Sequence, residues 1–280
     1  VIAIYNADGE RVAFNDDIAW NNLNSRVTVT LPAGKYFYGV TNLEGTPGGT
    51  YNWAILGPTP ATTVSAAGSA FSITLQMSGL TAGQQSIFRQ AANRWARVIT
   101  GDLPNVTFNG IPVDDVLIRA TAGFIDGPGD ILGEAGPERF RAGSLLPYYG
   151  TMHFDSADMA WMQSSGSLYY TVLHEIGHVL GIGTIWEMKG LLWGAGTSNP
   201  RFIGPHATAT YNAIYGTSAF GVPVESGGGL GTRDSHWRES VFAHEVMTGW
   251  VDSGANFLSR VTIASMHDLG YRVNMNAAGY

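Results

Sequence analysis

The sequence predicts an α+β protein: a twisted sheet carrying helices, preceded by a small all-β segment and followed by a loop-rich C-terminal region. Three observations point there. Short β-type runs between Gly, Pro and Asn-Asp turns fill residues 1–57. A strand, a long amphipathic helix, further strands and a second helix follow in that order over 71–183. Beyond 183 the periodicity fades into glycine-rich loops, with one amphipathic segment at 259–269.

Taken in order, residues 1–57 read as a partial β-sandwich module, with runs at 1–5, 11–14, 26–31, 35–40 and 51–55. Asp8, Asp16 and Asp17 lie in its turns and are candidate calcium ligands. Residues 58–70 are small, polar and uncharged, the composition of a linker. A strand is predicted at 71–75. Thr81 and Gln84 then form a capping box, and Ile87, Phe88, Ala91, Ala92, Trp95 and Ile99 keep helical spacing as far as Gly101. Strands are predicted at 113–119 and 151–154, and between them 125–137 reads as a structured loop. Its acids Asp126 and Asp130 are candidate calcium ligands. The expected divisions are 1–57, the linker 58–70, an N-terminal catalytic part 71–183 and a C-terminal part 184–280.

The second helix, 169–183, carries the chemistry. His174 and His178 are four apart, so a helix stacks them on one face, where two imidazoles can bind one zinc ion. Glu175 lies off that face but within reach of a metal-bound water, the H-E-x-x-H arrangement of a metalloprotease with Glu as general base. Val172, Leu173, Ile176, Val179 and Leu180 bury the remaining surface, and Gly181 and Gly183 end the helix. In the compact form of this motif a third His follows three residues after the glycine, but that position is Thr184. The third ligand must come from further on. His153 lies in a strand before the helix, and His267 reads as a surface imidazole of the 259–269 segment. His206, in a loop after Gly-Pro, His236 and His244 all remain candidates by position.

Composition excludes several alternatives. The chain has no cysteine, which rules out disulfides, thiolate metal ligands and a cysteine nucleophile. Its net charge is −7 with only 15 basic residues and no cluster of them, so nucleic acid is not expected as a partner. No run is long enough for a transmembrane segment. No signal peptide opens the sequence, so Val1 is expected to begin a processed or trimmed chain, with any inhibitory segment before it. The 37 glycines and few charges fit a secreted protein.

Two resemblances extend this reading. Tyr5-Asn-Ala-Asp-Gly9 and Asn15-Asp-Asp17 resemble the later half of the bacterial pre-peptidase C-terminal type of β-sandwich. His174-Glu-Ile-Gly-His-Val-Leu-Gly181, a long insertion, Ser235-His-Trp-Arg-Glu239 and Glu245-Val-Met-Thr248 resemble the leishmanolysin branch of the metzincin zinc peptidases, from about residue 71 onward. That resemblance implies a metzincin-type catalytic domain with ligands His174, His178 and His236, base Glu175, and Met247 in a turn beneath the metal. The absence of cysteine, unlike the disulfide-rich protozoan enzymes, makes it resemble a bacterial relative.

Residues 126–137 and 152–158 are similar to the matrixin S-loop and the strand after it. Matrixins hold a second, structural zinc there through His, whereas the loop position here is Glu134, so a single catalytic zinc is expected. Asp155 and Asp158 join Asp126 and Asp130 as candidate calcium ligands, and Ile131, Leu132 and Gly133 are the implied rim for an extended substrate. Trp186, Trp193 and Trp250 are candidates for lining the cleft or for packing. The expected activity is that of a secreted zinc endopeptidase, a monomer acting on proteins or peptides. The alternative is an extracellular binding or adhesion protein that keeps the fold, against which stands the intact Glu175.

Overall fold

The computed structural model describes residues 1–15, 25, 27, 29, 31, 34–40, 60–229, 231–252 and 254–279, and the chain divides into two compact units, Val1–Ile55 and Leu56–Tyr280. The strands expected at 26–31 and 51–55 lie largely or wholly outside the described residues, as do Asp16 and Asp17.

The first unit holds an antiparallel sheet of β1 (Ile2–Tyr5), β2 (Arg11–Asn15) and β3 (Phe37–Val40), in the order β2-β1-β3. Ile2 faces Asn15 on one side and Val40 on the other. The β1–β2 turn is shaped by Asn6, whose side-chain oxygen accepts the backbone N–H groups of Asp8 at 3.1 Å and Glu10 at 2.8 Å. Gly9 completes the turn at φ +81°, a conformation natural to glycine.

The second unit is built on a five-stranded sheet. Its strands are β4 (Thr62–Ser65), β5 (Ser72–Ser78), β8 (Val116–Gly123), β9 (Gly133–Phe140) and β10 (Pro147–Asp155). A hairpin of β6 (Val106–Phe108) and β7 (Ile111–Val113) intervenes in sequence. The order is β4-β5-β8-β10-β9, with β5, β8 and β10 parallel and the two outer strands antiparallel to their neighbours. Two expectations are corrected here. Thr62–Ser65, inside the stretch that reads as linker, is an edge strand with Thr62 opposite Leu75. The single strand expected at 113–119 breaks at Asp114 and Asp115, because the Asp115 carboxylate is buried and accepts the backbone N–H groups of Ser72 and Leu103, each at 2.7 Å.

Helices α1 (Ala82–Val98), α2 (Met159–Ser165) and α3 (Ser167–Val179) accompany the sheet. The expected capping box is present: Thr81 accepts from the Gln84 N–H, and the Gln84 side chain accepts from the Thr81 N–H. α1 packs on β4 and β5, α3 on β9 and β10, and the two helices on each other. Between them Trp95 is fully buried and donates its indole N–H to the Leu173 carbonyl at 2.8 Å. Phe71 just before β5, Ile73 and Leu75 from β5, Phe88 from α1, and Val172 and Ile176 from α3 meet in one continuous core.

The remaining elements are short. β11 (Leu192–Trp193), β12 (Arg201–Phe202) and β13 (Val222–Pro223) form a small antiparallel sheet, joined by α4 (Pro205–Tyr215), α5 (Glu239–Phe242) and α6 (Arg260–Leu269). α6 accounts for the amphipathic segment 259–269, and Ser259 caps it by accepting the Thr262 N–H. His206, expected in a loop, instead stands in the first turn of α4 directly after Pro205, which suits a first helical position.

Candidate metal centre

α3 brings His174 and His178 onto one face, and the chain returns His236 to meet them. The three Nε2 atoms form a near-equilateral triangle, 2.9 Å between His174 and His178, 3.0 Å between His178 and His236, and 3.1 Å between His236 and His174. Each ring is oriented from behind. Nδ1 of His174 donates to the Val246 carbonyl at 2.6 Å, Nδ1 of His178 to the Ile182 carbonyl at 2.9 Å, and Nδ1 of His236 to the Thr232 carbonyl at 2.9 Å. With every Nδ1 protonated, three Nε2 lone pairs point at one another. Three acceptors so close repel unless a cation lies among them.

Zinc at ~2.0–2.1 Å from three tetrahedrally placed nitrogens would separate them by about 3.3 Å. The observed edges of 2.9–3.1 Å are within a few tenths of that, and the donor set fits the ion. Burial also keeps the rings neutral. It drives His174 down to about 3, with the neighbouring His178 adding to the effect. His178 is lowered by burial, and His236 lies well below the ordinary histidine value through burial and its two partners. Of the other histidines, His206 contacts Asp268 at 2.7 Å and His244 contacts Asp252 at 3.1 Å, both exposed, while His153 Nδ1 bonds Thr121 Oγ1 at 2.7 Å within the sheet. Only His236 among the three positional candidates joins the pair on α3.

The return of His236 has a local cause. Gly183, at φ +75°, lies against the Ser235 backbone so closely that a Cβ there would overlap the Ser235 carbonyl oxygen and stand 2.8 Å from its carbon. Glu225 then braces the loop. Its carboxylate accepts the N–H groups of Ser226, Gly227 and Glu239, and its backbone N–H donates to the His236 carbonyl at 2.9 Å. Nothing in the sequence marked Glu225, since its partners are backbone groups.

Met247 lies beneath the cluster, fully buried. A Cβ on Gly177 would meet its Sδ at 2.6 Å, so the helix carries glycine where the methionine packs. The turn is tied to both sides of the site: the Val246 carbonyl holds His174, and the Met247 carbonyl accepts the Trp237 N–H at 3.0 Å. Glu245, which the sequence places in the Met247 motif without a role, is buried and accepts from the Met247 N–H at 2.5 Å, from the Ser259 N–H at 2.9 Å and from the Thr262 hydroxyl. That hydroxyl in turn accepts the Trp237 indole N–H at 2.8 Å.

The cluster opens into a cleft of about 970 Å³ whose lining includes Glu175, Trp161, Trp250 and the segment 131–135. Glu175 is 5 % exposed, and burial with the charge of nearby Glu134 pushes it up to about 8. Ile131, Leu132 and Gly133 lead into β9, the last strand of the sheet, and a Cβ on Gly133 would stand 3.4 Å from Glu175 Oε1. Of the three tryptophans, Trp250 lines the cleft and Trp186 is core, while exposed Trp193 packs edge-on against Phe220.

Of the four acids of 126–158 expected as calcium ligands, three bind backbone groups of the adjoining loops. Asp155 accepts the N–H groups of Ile125, Asp126 and Gly127 on one oxygen and of Ala157 on the other. Asp158 accepts from Gly129, and Asp126 from Ile131. Neither these three nor Asp130 falls in a group of metal-competent side chains among the described residues.

Comparison with known proteins bears on this geometry. The leishmanolysin peptidase family model matches residues 142–279, and the matrixin peptidase family model matches residues 69–192. No curated protein matches the chain. The two family matches overlap on α3, with its His174, Glu175 and His178, and between them they support a metallopeptidase of the metzincin-like branch over residues 69–279.

Proposed function

We propose that this domain is a secreted zinc endopeptidase in which His174, His178 and His236 hold the metal and Glu175 is the general base. One observation carries the reading: three converging Nε2 atoms lie beside a buried carboxylate, in a cleft bordered by the last strand of a sheet. The glycine-rich composition with few charges supports secretion, and among the described residues no helix is long and apolar enough to cross a membrane.

Zinc, when bound, supplies Lewis acidity to the scissile carbonyl and to the attacking water. The chain's own residues do the rest. The three imidazoles stay neutral and keep their lone pairs on one point. Glu175 accepts the proton of the water on its carboxylate and passes it to the leaving amine nitrogen. Its burial excludes bulk water that would compete for that proton. A substrate backbone lying along 131–133 and the outer edge of β9 would be held by strand-to-strand hydrogen bonds, which fix the scissile bond without reading its side chains.

Glu175→Gln keeps the side-chain shape and removes the proton acceptor. The variant is expected to retain zinc at the parent stoichiometry while casein hydrolysis falls by at least about 100-fold, within the usual range for a lost acid–base group. Parent-rate hydrolysis by the zinc-loaded variant would exclude Glu175 as the base.

A further inference from the structure

Two exposed imidazoles stand together where the N-terminus of α4 meets the C-terminal turn of α6. The His206 and His267 rings have centroids 4.0 Å apart and are tilted by 50°. Below them the Asp268 side chain is 1 % exposed, against 56 % for His206. Asp268 Oδ1 accepts the backbone N–H of His206 at 3.0 Å and its ring Nδ1–H at 2.7 Å, while Oδ2 accepts the Ala207 N–H at 2.9 Å. Gly204 leaves the room this needs, since a Cβ there would overlap Asp268 Oδ2.

The carboxylate therefore does two things. It satisfies free N–H groups at the start of α4. It also makes Nδ1 the protonated nitrogen of His206, which leaves the Nε2 lone pair available in an exposed ring. A buried carboxylate behind an imidazole whose other nitrogen is free is the arrangement that orients metal-binding histidines and raises their basicity. The second nitrogen donor is already in place, because no hydrogen bond occupies the ring of His267 among the described residues. One ligand atom each from His206, His267 and Asp268 lies within 4.8 Å of the other two. The helices that carry them pack directly on each other, so the pair is held before any ion arrives. Imidazole donors with one carboxylate select zinc-class divalent ions over calcium or magnesium, which prefer oxygen.

We propose that His206 and His267 form a second site for a divalent transition ion, with Asp268 as the carboxylate that positions His206 and water completing the coordination. Two protein nitrogens hold an ion less tightly than the three of the His174 cluster, so this site fills second. It shares no side chain with the cleft and does not depend on what the cleft does.

Zinc bound to the full chain, counted after dialysis against zinc ion alone at concentrations that saturate both sites, tests this without reference to activity. The parent is expected to hold two ions per chain. His267→Ala and His206→Ala are each expected to hold one, and a chain with both His174→Ala and His178→Ala is also expected to hold one. His267 is exposed and bonded to nothing that supports the fold, so its replacement should leave the protein folded. A His267→Ala variant that holds as many ions as the parent would overturn the proposal. Failure at the hydrolytic centre would appear separately, as a parent and a doubly substituted chain with equal zinc content.

Discussion

Asp155 carries more of the fold than its place at the end of β10 suggests. Burial pushes its pKa up, but the four backbone N–H groups it accepts outweigh that and hold it below the ordinary 3.8. A carboxyl with a depressed folded-state value contributes stability that is complete above 3.8 and is lost as pH falls through the folded value. Asp155→Asn should therefore cost about 2–3 kcal/mol at pH 7, the usual scale for charge-assisted bonds in a buried setting. The gap between parent and variant in urea unfolding should narrow on the acid side of 3.8. A gap of equal size at both pH values would show that the charge is not what holds the 125–127 loop. The same residue marks a limit of sequence reading. Asp126, Asp155 and Asp158 look like calcium ligands by composition, because a carboxylate that gathers N–H groups and one that gathers a cation are written with the same letter. His174, Glu175 and His178 were legible because their relation is local and set by one turn of helix. Glu225 was not, and Glu245 showed only as part of the Met247 motif, since each acts on groups that the fold brings near.

At the scale of elements, α1 and α3 could be read directly: each has apolar residues at helical spacing, and α1 has its capping box at Thr81 and Gln84. Strand β9 could not. Its residues 133–140 include two glycines, a proline and three charges, with no alternation, and only pairing with β10 makes them a strand. α4 was hidden for a similar reason, since Ala207 and Tyr211 are its only buried side chains. The loop that returns His236 depends on a single close approach, and this gives a prediction. Gly183→Ala forces a side chain into a positive-φ position and against the Ser235 backbone, where no flexible group can yield. The backbone strain alone is of order 1–3 kcal/mol. Because the last turn of α3 is closed by backbone hydrogen bonds from Leu180, Gly181 and Ile182 rather than by this contact, the variant should keep its helical signal while its zinc affinity falls at least tenfold as His236 is displaced. Parent-like affinity in a competition assay with a chromophoric chelator would mean that Gly183 does not position the third histidine.

For the whole molecule, the His cluster joins parts of the second unit that are far apart in sequence. Two of its rings come from α3, and the third comes from a loop tied to α6 through Trp237, Thr262 and Glu245. An ion held by all three binds the folded chain and not the unfolded one, so it stabilises the assembled unit by RT ln(1 + [Zn]/Kd). That is about 2.7 kcal/mol at a hundredfold excess over Kd and about 4.1 kcal/mol at a thousandfold. For a unit of this size each kcal/mol moves the midpoint by roughly 2–4 °C, so chelation should lower Tm by about 5–16 °C. His236→Ala should remove most of that difference, since two rings on one helix bind an ion without linking anything to it. His267→Ala should leave most of it intact. Calorimetric scans of the parent with and without chelator that superimpose would mean that the triangle of Nε2 atoms holds no ion at working zinc concentrations. The fold would then be stable without one, and the hydrolytic reading would lose its physical basis.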